Sequence, residues 1–446
     1  MEKVTDRPSN LTEILSMDPT FYYCANQTPP SLDKLVVWLN PGSPSLTAVG
    51  PPLSLESQYK SLFASADINR NKGIKITDNF SKVIPIYGDI ERWMDLRQRQ
   101  NNISSQIGRI SRQVNPVERL EEYSGIRWIG RAGLKLANMD AVFNLSRSDD
   151  TFRDPVDIRP FSFCDLAGGP GAFTQYLQYR RPRSDGYGMS LETEKKGCAW
   201  DLSQIDTLRF NVLKGADGSG DLIKNYYWTI DEIRKNNPVG VDLVVSDGFI
   251  KEDATVTFED YLNEEIANLN LLICELGIGL NILKEGRDMV CKVSDTLRPI
   301  MAEVLLVLCA AFENVCLFKP MTSRPANAEK YIICKSRRRD IAGPLRIFSL
   351  YYEQISNGYI ASPVLINLSE EGTTLFKLPT EFEEKLRRSN NSFIDYQLSE
   401  LVKIENRIAN KRVVIRNLNL PRAYDVWHVP MKGDRYVPPS TLTPCK

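Results

Sequence analysis

Short apolar runs alternate with longer segments of helical apolar spacing between residues 163 and 335. The first run opens the stretch 163–173, FCDLAGGPGAF, in which apolar residues lead into clustered glycines and a proline, and an amphipathic segment follows at 173–179. This order predicts a strand, a tight glycine turn and the start of a helix. Because strands and helices alternate after it, we expect an α/β fold with a mainly parallel sheet that closes in an antiparallel hairpin. The further predicted strands cover 186–191, 241–247, 288–293, 315–320 and 330–335, and the predicted helices cover 258–284 and 299–312.

Other patterns flank this segment on both sides. Residues 1–85 are rich in proline, serine and asparagine, which predicts an irregular extension. The stretch 90–122 reads as a charge-rich helix, and 131–140 has apolar residues at helical spacing with Lys135 near its start. The expected parts are an N-terminal extension (1–85), a main domain (86–339) and a mainly helical C-terminal region (340–446) with helices near 343–355 and 391–410.

Composition narrows the classes of function. The 446 residues are 42% apolar and 25% charged with a formal net charge of zero, so a nucleic-acid site would be a local basic patch. The sequence lacks an apolar run long enough to cross a bilayer and an N-terminal hydrophobic signal core, so we expect a soluble, intracellular protein of the nucleus or cytoplasm. The single histidine, His428, argues against histidine triads and multi-histidine metal sites, and the scattered cysteines are expected to be reduced and buried.

The glycine turn has the features of a ligand site. Glycines let a backbone approach a ligand closely, and a following helix N-terminus presents unpaired N–H groups. A small polar ligand is therefore expected at the carboxyl end of the first strand. The spacing differs from G-x-G-x-x-G and the turn lacks a Walker lysine, which disfavours dinucleotides and nucleoside triphosphates. Many such turns only connect elements, so the turn by itself leaves both readings open.

Four segments together carry a family resemblance. They are RAGLKLANMD at 131–140, the glycine turn, SDG at 246–248 and KPMTSRPANAEKY at 319–331, of which the last is the most specific. They resemble the FtsJ-like, Rossmann-type 2′-O-methyltransferases, and among these the eukaryotic cap-specific mRNA (nucleoside-2′-O)-methyltransferase 1 family. The similarity spans roughly residues 110–335.

The resemblance implies a Rossmann-like, S-adenosylmethionine-dependent methyltransferase fold with a mainly parallel seven-stranded sheet that ends in an antiparallel hairpin. It implies S-adenosyl-L-methionine as cofactor, capped mRNA as substrate, and no metal. The family's Lys-Asp-Lys-Glu catalytic tetrad matches Lys135, Asp247, Lys292 and Glu329. The implied cofactor contacts are Gly130, Arg131, Asp165, Ala167, Gly168, Gly169, Pro170, Gly171, Ala172, Phe173, Asp221 and Leu222, and the predicted RNA contacts are Arg109, Arg112, Arg127, Arg324 and Asn327.

The chemistry explains why these residue types are needed. A ribose 2′-hydroxyl is a poor nucleophile near neutral pH, so a general base must take its proton as the methyl group is transferred. A lysine can act as this base only when neutral, and we assign the role to Lys292 in its apolar strand. Asp247 and Glu329 would orient the lysines and the hydroxyl, and Lys135 would stabilise the developing alkoxide.

The sequence also departs from the family pattern. Ala172 stands where the family often has glycine, Gly130 replaces a common asparagine, and the stretch from Asp247 to Lys292 is a few residues longer than usual. Two alternatives therefore stay open: 2′-O-methylation of ribosomal or other structured RNA, and a non-catalytic RNA-binding subunit. The SRPAN letters and the C-terminal helical region favour a cap enzyme, for which other capping or transcription proteins are candidate partners.

Overall fold

A computed structural model provides the structure of the chain. It describes the residues 36–38, 74–75, 87–147, 160–192, 198–250, 264–365, 378–413, 423–424 and 426–433, with the backbone alone at 36–38, 74–75 and 116–119. The start of the predicted helix 258–284 and most of the predicted N-terminal extension lie outside the described residues.

The centre of the fold is an eight-stranded sheet with the order β1-β8-β9-β7-β6-β3-β4-β5. The five strands from β7 to β5 run parallel, whereas β9 lies antiparallel between β7 and β8. These seven strands confirm the predicted sheet and its antiparallel closing pair. The eight strands of the whole sheet are β1 (Val36–Trp38), β3 (Ser162–Leu166), β4 (Asp185–Met189), β5 (Phe210–Leu213), β6 (Val241–Ser246), β7 (Leu283–Val293), β8 (Phe312–Phe318) and β9 (Lys330–Arg337).

The eighth strand was not predicted. Strand β1 comes from the region expected to be irregular, and it pairs antiparallel with β8, with Val36 opposite Phe318. A second short pair lies apart from the main sheet and joins β2 (Ile74–Lys75) to β10 (Tyr359–Ile360). Both pairs connect the N-terminal region to residues more than 250 positions later in the chain, so neighbouring sequence gives no sign of them.

Helices cover both faces of the sheet. One face packs against α5 to α9, and the other packs against α3 and α4, which gives each face its own apolar core. Strand β6 is buried along its whole length because it lies in the middle of the sheet between these layers. The helices are α1 (Ile90–Asn102), α2 (Ser104–Val114), α3 (Ala132–Phe143), α4 (Ala172–Arg180), α5 (Tyr226–Asn236), α6 (Leu269–Ile282), α7 (Pro299–Ala311), α8 (Ala342–Ser356) and α9 (Thr380–Ile408).

Three predicted helices differ from the observed ones in extent or in burial. The stretch 90–122 forms α1, α2 and a 3-10 helix, because the chain breaks at Ile103 and Pro116 cannot continue an α-helix hydrogen-bond pattern. Helix α9 begins about ten residues earlier than its predicted start at 391. The helix after the glycine turn was expected to be amphipathic, but α4 is buried on nearly every side.

The C-terminal helix α9 is joined to the main sheet domain by buried polar contacts. The Asn390 side-chain amide donates to the carbonyl oxygens of Tyr87 (2.6 Å) and Thr296 (2.8 Å). The next residue, Asn391, accepts a hydrogen bond of 2.7 Å from the backbone N–H of Asp89. Helix α9 therefore packs as part of the same core, and the proposed domain limits at 85 and 339 stay predictions.

All of the described helices are too short or too polar to cross a membrane.

Candidate active site

Strands β6 and β7 bring Asp247 and Lys292 together at the carboxyl edge of the parallel sheet. Asp247 directly follows β6, and the Lys292 ammonium donates to its carbonyl oxygen (2.6 Å) and lies 3.2 Å from its Oδ1. The neighbouring strand β9 places Tyr331 opposite Lys292, and the Tyr331 hydroxyl donates to the same Oδ1 over 2.7 Å. Tyr331 therefore fixes the orientation of the Asp247 carboxylate.

Lys135 and Glu329 complete the group of four predicted side chains. Lys135, in the first turn of α3, donates to Glu329 Oε2 over 2.9 Å and lies 3.8 Å from Asp247 Oδ2. Burial acts to lower the pKa of Lys135, but Asp247 and Glu329 outweigh it and raise that pKa above the ordinary lysine value. Lys135 is therefore held as an ammonium between two carboxylates.

Glu329 carries its negative charge in a buried place. Burial alone would raise its pKa, but the ammonium groups of Lys135, Lys292 and Lys319 outweigh it and hold the pKa well below the usual glutamate range. The Ser323 hydroxyl donates to Glu329 Oε1 over 2.5 Å. The carboxylate is thus available as an acceptor across the neutral pH range.

Lys319, at the end of β8, holds the loop that carries Glu329. Its ammonium donates to the backbone oxygens of Asn327 (2.8 Å) and Glu329 (2.6 Å) and to the Asn327 side-chain oxygen (2.9 Å). Burial lowers the pKa of Lys319 to about 7, while three oxygen acceptors match the three N–H donors of its charged form. Lys319 lies in the segment singled out from the sequence, but its structural role was not predicted.

The glycine turn joins β3 to α4 as predicted, but protein contacts account for two of its glycines. An ideal Cβ at Gly168 would lie 2.3 Å from the Asp165 carboxyl group. One at Gly169 would lie 1.7 Å from the backbone oxygen of Cys198 and 2.7 Å from Ser190 Oγ. The residues 198–201 therefore pack so closely on the turn that a side chain at Gly169 is excluded. Close packing within the protein, and not only close approach of a ligand, requires glycine there.

Asp165 is fully buried beneath this turn. Its Oδ2 accepts hydrogen bonds from the Thr174 backbone N–H (3.1 Å) and hydroxyl (2.8 Å), while Oδ1 has no partner among the described residues. Burial raises the pKa of Asp165 to about 7. Gly171, the residue before α4, has no side chain to cap that helix, and Asp165 instead accepts from one of its first N–H groups, that of Thr174.

The other predicted cofactor residues lie around the turn. Gly130 precedes Arg131 and α3, and an ideal Cβ at Gly130 would meet only Ala172 Cβ, at 3.9 Å. The loop that carries Asp221 and Leu222 reaches the turn through Ser190, whose backbone oxygen would lie 1.9 Å from a Cβ at Gly220. The structure thus brings these segments to one edge of the sheet, and their contact with a cofactor stays a prediction.

The predicted RNA residues have different surroundings. Arg109 and Arg127 are exposed, and exposed Arg112 lies 3.7 Å from Glu121 and 3.5 Å from Glu122. Arg324 is exposed in the loop after β8, whereas the Asn327 side-chain oxygen accepts from Lys319 and so orders that loop. The contacts of these five residues with RNA stay predictions.

Glu275 is a buried acid beside the site that the sequence did not single out. It lies on α6, with Oε2 3.3 Å from Cys291 Sγ and with Oε1 lacking a partner among the described residues. An ideal Cβ at Gly248, the residue after Asp247, would lie 2.0 Å from Oε1. Burial raises the pKa of Glu275 to about 7. In the sequence, Glu275 is only a glutamate within an apolar helical stretch. Its position beside the site depends on how the strands are assembled, so the sequence does not indicate it.

This pKa gives a prediction for stability. The folded protein keeps the Glu275 proton up to about pH 7, whereas the unfolded chain releases it near 4.5, so this group makes the free energy of unfolding fall between those values. Glu275→Gln has no proton to lose. Relative to the unsubstituted chain, the free energy of unfolding of this variant should rise by about 3 kcal/mol from pH 4.5 to pH 7, at about 1.4 kcal/mol per pKa unit. Urea unfolding across this range measures the gain. A difference that stays constant across this range would contradict the prediction.

Comparison with known proteins shows which families the chain resembles. Residues 128–337 match the sequence model of the FtsJ-like methyltransferase family. The chain is 28% identical over 318 residues to the mouse protein named cap-specific mRNA (nucleoside-2′-O-)-methyltransferase 1, covering 67% of the chain and 36% of that protein. It is 27% identical over 313 residues to the Xenopus laevis protein of the same name, covering 65% of the chain and 35% of that protein. The chain thus spans about a third of the length of these relatives.

Among solved structures, the chain is similar to a putative ribosomal RNA methyltransferase from Plasmodium falciparum, with a TM-score of 0.34 and 16% identity over 47% of this chain and 98% of that one. Methyltransferases of the FtsJ-like type use S-adenosylmethionine as methyl donor. The match to the family model covers α3, the glycine turn and all four tetrad positions. Residues 128–337, which carry the whole candidate site, therefore resemble the FtsJ-like methyltransferases.

Proposed function

We propose that this protein transfers a methyl group from S-adenosylmethionine to the ribose 2′-hydroxyl of the first transcribed nucleotide of capped mRNA, which converts cap 0 to cap 1. The observation that carries the proposal is the single network of Lys135, Asp247, Lys292 and Glu329 at the carboxyl edge of the sheet. Four segments far apart in the sequence contribute to it. The family of the domain and the names of its relatives support the substrate class.

The residues around the glycine turn fit the methyl donor. Gly130, the first N–H groups of α4 and the glycines 168, 169 and 171 lie around one turn, and the residue before α4 has no side chain to cap that helix. Helix N–H groups suit a carboxylate. We assign the donor to the predicted residues of this turn and to the loop of Asp221 and Leu222. When bound, S-adenosylmethionine supplies an electrophilic methyl group.

The two lysines have different surroundings, which suggests different roles. Lys135 lies near two carboxylates and stays charged, so it can stabilise negative charge that develops on the ribose oxygen. Lys292 lies beside the Asp247 carboxylate and donates to the Asp247 carbonyl oxygen. We assign the general base to Lys292, which takes the 2′-hydroxyl proton on Nζ. Asp247 and Glu329 orient the two ammonium groups.

Methyl transfer by the purified chain tests this function. Short RNA with a cap 0 end should accept one methyl group, and digestion should place it on the ribose of the first transcribed nucleotide. Equal transfer to an uncapped RNA of the same sequence would favour the structured-RNA alternative. Cofactor binding without transfer to any RNA would favour a non-catalytic subunit.

RNA binding should weaken steeply with salt if the exposed arginines contact phosphates. For single-stranded RNA, each contacted phosphate contributes about 0.7 to the slope of log affinity against log salt. Arg109→Ala and Arg127→Ala should each reduce that slope, as measured by fluorescence anisotropy. Arg234→Ala is the matched control, because Arg234 donates to the Asn281 carbonyl near the opposite edge of the sheet. Equal slopes for all of these variants would show that Arg109 and Arg127 are only solvated.

A further inference from the structure

Phe249 is an aromatic residue with an unusual place in this fold. It follows Asp247 by two positions and is 42% exposed, whereas Phe163, Phe173 and Tyr331 around the site are at most 2% exposed. A phenyl ring buried in a core contributes to folding through the water it excludes, and an exposed ring contributes less in this way. Because the Phe249 ring is exposed, it is available to contact a bound ligand.

The ring of Phe249 lies beside the proposed base. Its centroid is 5.3 Å from Lys292 Nζ, and both residues line the same pocket with Gly248 and Asn268. The ammonium thus has the Asp247 oxygens as partners and an aromatic ring within cation–π distance. A group held at Lys292 Nζ is therefore also close to this ring.

A ribose presents its base next to the hydroxyl that is methylated. The base is attached to the carbon adjacent to the one that carries the 2′-hydroxyl. A hydroxyl brought to Lys292 Nζ therefore brings the base of the same nucleotide near Phe249. Aromatic side chains bind unpaired bases by stacking, and stacking tolerates every base because each has a π-face.

We propose that Phe249 is the stacking platform for the base of the nucleotide whose ribose is methylated. This inference rests on the proposed function and deepens it, because it names the residue that holds the target base. The ring contacts the substrate in both ground and transition states, so it acts mainly on KM and leaves kcat nearly unchanged. Purines offer a larger stacking area than pyrimidines, so the ring also produces a lower KM for a purine at this position.

The test compares two variants on two RNAs. Phe249→Ala removes the ring, and Ile250→Ala is the matched control, because Ile250 is the next residue and is also 42% exposed. One cap 0 RNA carries a normal first base, and the other carries an abasic first nucleotide. Phe249→Ala should raise KM about 5- to 100-fold for the normal RNA and by little for the abasic RNA. Phe249→Trp should restore KM.

The outcomes separate this inference from the proposed function. Turnover of the normal RNA by the unsubstituted chain tests the function, and the ratio between variants tests the ring. An equal loss on both RNAs would show that the ring only supports the site's structure, and unchanged KM would also overturn the inference. If the unsubstituted chain does not turn over, equilibrium binding of the two RNAs makes the same comparison, and equal affinities of the chain and Phe249→Ala would reject stacking.

Discussion

Methyl transfer to capped RNA should fall by about 10²–10⁴-fold when Lys292 is replaced by arginine, and by a similar factor when it is replaced by methionine. Arginine keeps the positive charge but cannot release its proton at working pH, and methionine keeps the length without charge or basicity. Lys292 Nζ lies 2.6 Å from the Asp247 carbonyl oxygen and 3.2 Å from its carboxylate. From this position it can take the proton of the 2′-hydroxyl only in its neutral form. Single-turnover kinetics on cap 0 RNA measure the loss.

A lysine on the same strand provides the control for Lys292. Lys284 lies at the other end of β7 and pairs with Asp242 at 2.9 Å. Lys284→Met should therefore keep the rate of methyl transfer. Both Lys292 variants should still bind S-adenosylmethionine and RNA, which separates a lost base from a lost fold. Near-normal turnover by Lys292→Arg would exclude the base role and leave Lys292 as a fixed positive charge.

Replacing Gly169 by alanine should abolish S-adenosylmethionine binding. The added Cβ would lie 1.7 Å from the Cys198 backbone oxygen, and a backbone atom cannot move aside without shifting residues 198–201. Overpacking of this kind typically costs about 1–3 kcal/mol of stability, and here it displaces the turn itself. Isothermal calorimetry measures binding, and chemical unfolding measures stability in parallel. Unchanged affinity in a folded Gly169→Ala would contradict the role of the turn.

Gly130→Ala provides a complementary test, which concerns contact with the cofactor instead of packing within the protein. A Cβ at Gly130 points into open space and meets only Ala172 Cβ at 3.9 Å, so Gly130→Ala should fold with unchanged stability. If the methyl donor lies against Gly130, the same variant should bind it more weakly. Gly169→Ala thus reports packing within the protein, while Gly130→Ala reports packing against the ligand. Unchanged affinity in Gly130→Ala would remove Gly130 from the cofactor site.

The grouping of Lys135, Asp247, Lys292 and Glu329 was predicted from the family resemblance of short segments, and the structure places the four side chains together. Their catalytic roles stay predictions. The residues that hold these side chains were not predictable in the same way. Tyr331 reaches Asp247 through the register of β7 and β9, and Lys319 reaches the Glu329 loop by folding back on it. Such contacts depend on tertiary geometry, which a local pattern does not encode.

The fold was predictable to a similar extent. The alternation of strands and helices gave the sheet and its closing pair, because each strand is an apolar run bounded by turn residues. The three-residue strand β1 was missed because its pattern is too short to distinguish from a loop. The limits of α1, α2 and α9 were missed because charged helices have weak apolar periodicity, and their ends depend on packing with distant residues.

The joining of α9 to the start of the sheet domain has a consequence for synthesis. The hydrogen bond between Asp89 and Asn391 joins residues 302 positions apart. At about 5–20 residues per second, a ribosome needs roughly 15–60 s to make the intervening chain. For about the first two thirds of that interval the nascent segment at Asp89 lacks its distant native partners, because Tyr87 and Trp93 bond to Leu297 and Asp295 and Asn391 is made later still. Strand β1 likewise emerges long before β8. These early segments are thus exposed to aggregation or chaperone binding until the later segments are made.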